Sequence, residues 1–296
     1  MKILLKLVAT LLLLAGIAVG VVYGLSQSRL DRHYAVEPES VAVPTDLTSI
    51  VQGAHVAKIR GCRECHGDNL AGGTVVDDAK AGLIYGVNLT HGKGGLPEDY
   101  GDADLVRAIR HGVGRDGRPL ILMPSVEFHE LSDEDLGALI AYVKSVPSVD
   151  REMPRSKLGP IMRTVLLLDK NAQLLSAEWI DHAQKRAVAP PQGATEQGRY
   201  LATTCTYCHG DGFSGGKIPG VPPDWPASKN LTNGGETINW TEAQFATVLR
   251  TGATPDGRKL DSRWMPWTAF QAMTDEEIHA LWEYLRAQPA KPDGNR

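Results

Sequence analysis

The chain has few cysteines, few aromatic residues and no excess of positive charge, and the first and last of these each remove a class of protein. Four cysteines in 296 residues are too few for a disulfide-stapled scaffold. A formal net charge of -4 provides no basic field to gather nucleic acid, so a nucleic-acid partner is set aside. Phe, Trp and Tyr together make up only 6%. No alternating strand, helix and strand pattern stands beside the cysteines, which argues against a thioredoxin-like unit.

What is present begins with an uncharged run of 19 residues from Leu7 to Leu25, with Lys2 and Lys6 before it and Arg29, Asp31 and Arg32 after it. It is long enough to span a bilayer. Gly16 and Ala18 offer a small-residue cleavage site, but the apolar run extends well past a usual signal core. Residues 1–30 are therefore expected to form a retained signal-anchor helix. A cleaved signal, leaving a soluble exported protein, is the alternative. Either way the rest of the chain is exported.

All four cysteines fall in two copies of one pattern, Cys62-Arg63-Glu64-Cys65-His66 and Cys205-Thr206-Tyr207-Cys208-His209. C-x-x-C-H is the haem attachment signature: both thiols bond the porphyrin, and the adjacent histidine is carried to the iron. A redox dithiol has no need of the histidine. One zinc shared by both pairs would leave the histidines and the methionines described below without a role. Two covalently bound haem c groups are expected.

The surroundings of the motifs repeat as well. Both continue as His-Gly-Asp to a glycine pair, Gly72-Gly73 and Gly215-Gly216, and Asn88-Leu89-Thr90 returns as Asn230-Leu231-Thr232. Leu105, Ile109, Arg110 and Gly112 match Phe245, Leu249, Arg250 and Gly252. Met123-Pro124 matches Met265-Pro266 after a small insertion. Helices are expected over about 50–61, 102–110, 196–204 and 241–250. Final helices start at Ser132 and Thr274, with a capping box at Thr274 and Glu277, a shorter-armed one at Ser132 and Asp135, and stops at Pro147 and Pro289.

With these parts in this order the chain resembles the class I c-type cytochromes, as a tandem pair covering 48–149 and 194–290. The resemblance implies an all-α fold. It also implies iron ligated by His66 and Met123 in the first domain and by His209 and Met265 in the second, with Cys62, Cys65, Cys205 and Cys208 holding the porphyrins. His91, His111, His129 and His279 are rival sixth ligands, expected to be solvated instead, or in the final helix for His279. Arg110 and Arg250, and Asn88 and Asn230, are candidate partners of haem propionates. Tyr85, Trp225, Trp264 and Trp267 are candidates to pack on haem faces. Many members carry a proline near the carbonyl that orients the ligand histidine. The second domain has Pro219, Pro222 and Pro223 in that loop, and the first has none between His66 and Pro97.

Residues 150–193 lie outside the repeat as a linker with an apolar segment, free to fold back on a domain, set the angle between haems, or face a partner. The expected role is an electron carrier without catalytic residues, on the periplasmic side of a bacterial inner membrane. It would link a periplasmic or membrane-associated dehydrogenase subunit to a respiratory-chain acceptor. A dihaem peroxidase is the enzymatic alternative, and a haem sensor the third class.

Overall fold

A computed structural model describes residues 1–222 and 224–296, so Pro223 lies outside the described residues. The chain opens with α1 (Lys2–Leu30), followed by α2 (Leu47–Ile59), α3 (Cys62–His66), β1 (Gly73–Asp78), β2 (Gly82–Gly86), α4 (Asp102–His111), α5 (Ser125–Phe128) and α6 (Asp133–Ser145). Then come β3 (Lys157–Leu158), α7 (Pro160–Leu168), α8 (Ala194–Ala202), α9 (Thr206–His209), α10 (Glu242–Thr251), α11 (Trp267–Phe270) and α12 (Asp275–Arg286).

Helices α2 to α6 and α8 to α12 are two copies of one arrangement. In each, the first and last helices cross so closely that the contact position admits only glycine. A Cβ on Gly53 would sit 1.9 Å from the Ala138 carbonyl oxygen, and one on Gly198 would sit 2.0 Å from that of Ala280. The final helices start as their side chains dictate. Thr274 and Glu277 form the complete capping box. Ser132 accepts from the Asp135 amide at 3.1 Å, while the shorter Asp135 side chain accepts instead from the Tyr200 hydroxyl at 2.7 Å. Each domain has its own core, built on Leu105, Ile109, Leu136 and Ile140 in the first and on Phe245, Leu249, Ile278 and Leu281 in the second.

Two features depart from the expected all-α pair. First, a small antiparallel sheet of order β1-β2-β3 sits in the first domain, with Val76 opposite Ile84 and Gly82 opposite Leu158. The β-branched pair Val75-Val76 favours the extended form, and the Asp78 carboxylate closes the hairpin on the Lys80 and Ala81 amides at 2.8 and 2.7 Å. Second, much of 150–193 folds back on the first domain. Leu158, Met162, Leu166, Leu174 and Leu175 make a third buried cluster with Ile84. The Ala187 and Val188 carbonyls accept from the free amides at the start of α6. Residues before 48 also belong to this domain, because Val41 is buried in its core and the Tyr34 amide donates to the Gly117 carbonyl at 2.9 Å.

The domains meet about a pseudo-two-fold axis. Arg60, at the end of α2, donates to the Thr203 and Thr204 hydroxyls at 2.9 and 2.7 Å, and Arg60 and Thr203 occupy equivalent positions, each two residues before the first cysteine of its motif. Asp135 on α6 takes Tyr200 of α8, and its counterpart Glu277 on α12 takes His55 of α2 at 2.8 Å. Glu64 accepts from Thr268 at 3.3 Å, which brings α11 of the second domain against the first cysteine motif.

Candidate cofactor sites

Both cysteine motifs are tight turns of helix ending on a glycine with left-handed φ, 77° at Gly67 and 78° at Gly210. This redirects the chain after the histidine without the penalty a Cβ would bring. The histidine rings are then held alike. His66 Nδ1 lies 2.8 Å from the Val87 carbonyl and His209 Nδ1 lies 2.7 Å from that of Lys229. A carbonyl only accepts, so Nδ1 carries the hydrogen and Nε2 presents its lone pair. Burial pushes both imidazoles towards the neutral form, the form that binds a metal.

The orienting carbonyls precede Asn88 and Asn230, and those side chains explain the repeat. Asn88 donates to the Val149 and Arg151 carbonyls at 2.8 and 3.2 Å and accepts from Thr90. Asn230 donates to the Lys291 carbonyl and Asp293 at 2.8 and 3.0 Å and accepts from Thr232. Each asparagine pins its loop to the tail beyond the final helix, and so fixes the carbonyl beside it.

Burial pushes the thiols of Cys62 and Cys205 up to about 12 and that of Cys208 up to about 11. A reactive dithiol needs the opposite shift. Among the described residues no three His, Cys, Asp or Glu side chains cluster to hold a metal ion, so the two cysteine pairs do not meet as a zinc site. In the second domain, Cys205, Cys208, His209 and Met265 all line one cavity of about 510 Å³, walled by Leu231, Phe245, Leu249 and Leu281. That volume lies within the ~300–1,000 Å³ of cofactor sites. An imidazole, a thioether and two thiols around an apolar cavity form a donor set that fits haem c. In the first domain Cys62 and Met123 pack against one core cluster.

Comparison with known proteins agrees. Residues 49–143 match the family described as cytochrome c oxidase, cbb3-type, subunit III, and residues 195–289 match the family described as cytochrome c. The chain carries two cytochrome c domains. It is 28% identical over 289 residues to the fructose dehydrogenase cytochrome subunit of Gluconobacter japonicus, covering 86% of this chain and 57% of that protein. Over 286 residues it is 28% identical to the cytochrome c subunit of the quinone alcohol dehydrogenase of Gluconobacter oxydans, with the same coverages. With the gluconate 2-dehydrogenase cytochrome c subunit of Pantoea cypripedii it shares 27% over 275 residues, 82% of this chain and 60% of that one. The chain thus spans little more than half the length of these relatives.

Within the two cytochrome c domains, several expected contacts are redirected. The Arg110 side chain is fully buried, bonded to Glu39, to Asp133 at 2.8 Å and to the Leu131 carbonyl at 2.8 Å. Arg250 meets Asp275 at 2.5 Å and does not line the cavity. The amide hydrogens of Asn88 and Asn230 are likewise spent within the protein. Arg258 and Lys259 do line the cavity. Their signal was the Asp116-Gly117-Arg118 triplet that returns as Asp256-Gly257-Arg258.

His111 and His129 are buried rather than solvated. His111 lies between Glu39 at 3.2 Å and His182 at 3.1 Å, and His129 Nδ1 meets the Arg110 carbonyl at 3.2 Å. His279 pairs with Glu242 at 3.0 Å on the surface, and His91 is exposed. Trp264 lines the cavity with Trp240, which the sequence had not singled out. Trp225 packs edge-on against Trp264, Trp267 donates to the Leu260 carbonyl, and Tyr85 lies on β2. The proline difference does not decide histidine orientation, because Val87 and Lys229 supply the carbonyl in both domains.

Proposed function

We propose that this protein carries electrons through two covalently bound haem c groups, from a membrane-associated dehydrogenase towards the respiratory chain. The observation that carries the reading is the cage built twice: two cysteines, a carbonyl-oriented histidine and a Met-Pro on one core. In this reading His66 and Met123 ligate the first iron, and His209 and Met265 the second. Bound haem supplies a one-electron ferric and ferrous couple, whose potential a thioether ligand raises.

The chain's own part is to hold the ligands and keep water away. The Met-Pro turns are built alike, with the Ser125 amide donating to the Met123 carbonyl at 2.8 Å and the Trp267 amide to the Met265 carbonyl at 2.7 Å. The dehydrogenase partner is supported by the names of the three relatives. Anchoring on the periplasmic side of the inner membrane is supported by α1, an apolar helix of 29 residues exposed along nearly its whole length.

The test is ferric absorption spectroscopy of the holoprotein and its variants. Wild type is expected to bind two haems and to show the weak long-wavelength band of methionine-ligated iron. Met123→Leu and Met265→Leu should each remove about half of that band while both haems stay attached. A single haem, or a band indifferent to both substitutions, would sink the assignment.

A further inference from the structure

Helix α7 has two apolar faces and only one is used by the protein. Met162 and Leu166 are buried in the third cluster. Ile161 and Leu168, on the adjoining flank, stand 48% and 76% exposed; seven positions apart, they form one stripe along the helix, with Val165 between them half-buried against the third cluster. The stripe carries no free polar group. Thr164, beside it, donates its hydroxyl back to the Pro160 carbonyl at 2.8 Å. Arg163 is drawn off to α1, reaching the Ser26 hydroxyl at 2.8 Å and Gln27 at 3.0 Å and lying 4.7 Å from the Tyr23 ring centre. Arg29 of α1 returns the contact on the Leu166 carbonyl.

The place of these contacts along α1 identifies what covers the stripe. A helix of 29 residues is about 43 Å long, the thickness of a bilayer with its headgroup layers, about 40–45 Å. The uncharged run Leu7–Leu25 fills the hydrocarbon. Tyr23 to Leu30, the stretch that grips α7, then lies at the outer interface, where an aromatic ring and arginines are favoured. Lys157, Arg163 and Lys170 surround α7, a charge balance suited to anionic headgroups. Of the nearby acids, Asp169 is turned to the Asn171 and Gly220 amides at 3.0 and 3.1 Å, and Glu178 is paired with Arg29.

We infer that α7 is an interfacial helix: its exposed Ile161 and Leu168 rest in the outer lipid surface beside α1. Together the two helices hold the first domain flat on the membrane, rather than on a flexible tether. This rests on the reading of α1 as an anchor.

The test uses the full-length holoprotein in nanodiscs containing phosphatidylglycerol. The native cysteines are taken up by haem there, so an introduced cysteine is the free thiol. Ile161→Cys and Leu168→Cys are expected to react at least tenfold more slowly than the exposed Glu276→Cys with a charged maleimide, yet readily with a lipid-soluble one. Reaction with the charged reagent at the Glu276→Cys rate overturns the inference. Slow reaction with both reagents also overturns it, because a protein surface then covers the stripe. Leu13→Cys separates the two readings. If it is shielded while positions 161 and 168 are not, the anchor stands and the interfacial helix falls; if it reacts freely with the charged reagent, both fall.

Discussion

The two cytochrome c domains share one arrangement of cysteines, histidine and Met-Pro but differ in what surrounds it. The first is wrapped by the strap before residue 47 and by the segment after residue 150. Ser176 donates to the Met123 carbonyl at 2.5 Å and the Leu122 amide to the Leu174 carbonyl at 2.9 Å, so the ligand loop is braced from outside. The second domain has no such wrapping around Met265 among the described residues, and its cavity opens to Arg258 and Lys259 at the surface. The equivalent arginines show the same contrast. Arg110 is sealed between two carboxylates, whereas Arg250 and Asp275 stand 36% and 93% exposed. A repeat conserves what the cofactor needs, and the additions decide how each copy meets solvent.

That contrast breaks first at the arginines. Arg110→Ala should destabilise the first domain by about 3–5 kcal/mol, because it strands Glu39 and Asp133 beside a buried core. Arg250→Ala should cost less than about 1 kcal/mol. Denaturant unfolding followed by haem absorption separates the two, and equal losses would contradict the description of Arg110 as a sealed charge. The likeness of the domains is sharpened at the helix crossings, where Gly53→Ala and Gly198→Ala should each cost about 1–3 kcal/mol. A marked inequality between them in the same unfolding experiment would mean that the two crossings are not equivalent.

Acid acts on the first domain. Burial would raise the Glu39 carboxyl, but the Arg110 hydrogen bond and charge, its own backbone and His111 outweigh it and hold it down at about 2. Burial, with the charges of Arg186 and His111, pushes His129 down to about 4. Both groups take up protons more readily in the unfolded chain, so folding stability falls as pH falls. The His129 contribution is lost between about 6.5 and 4, and that of Glu39 from about 4.5 towards 2. The His129 shift corresponds to about 3 kcal/mol, and the partly exposed Glu39 adds only a fraction of its own shift. Acid titration followed by circular dichroism and haem absorption should show the first domain loosening before the second, and the reverse order would count against this cluster.

The cofactor cage was legible because its chemistry is local. Cysteines separated by two residues and followed by a histidine, and a Met-Pro at matched distance, are short patterns with one good explanation. The final helices were legible from periodicity and caps. The roles of Asn88 and Asn230 were not, because a side chain that pins a loop and one that greets a propionate look the same in sequence. The partners of Arg110 were hidden for the same reason: Glu39 and Asp133 lie 71 and 23 residues away. The sheet escaped notice because β3 is two residues long and pairs with a strand more than seventy positions earlier.

By itself the sequence determined two cytochrome c units, their ligand candidates and an apolar N-terminal run, since each depends on residues close together along the chain. Only the tertiary structure decided which carbonyl orients each histidine, that much of 150–193 packs on the first domain, and that the domains meet about a pseudo-two-fold axis. Those outcomes depend on contacts between distant segments, whose partners are chosen by burial and hydrogen bonding in three dimensions rather than by any local pattern.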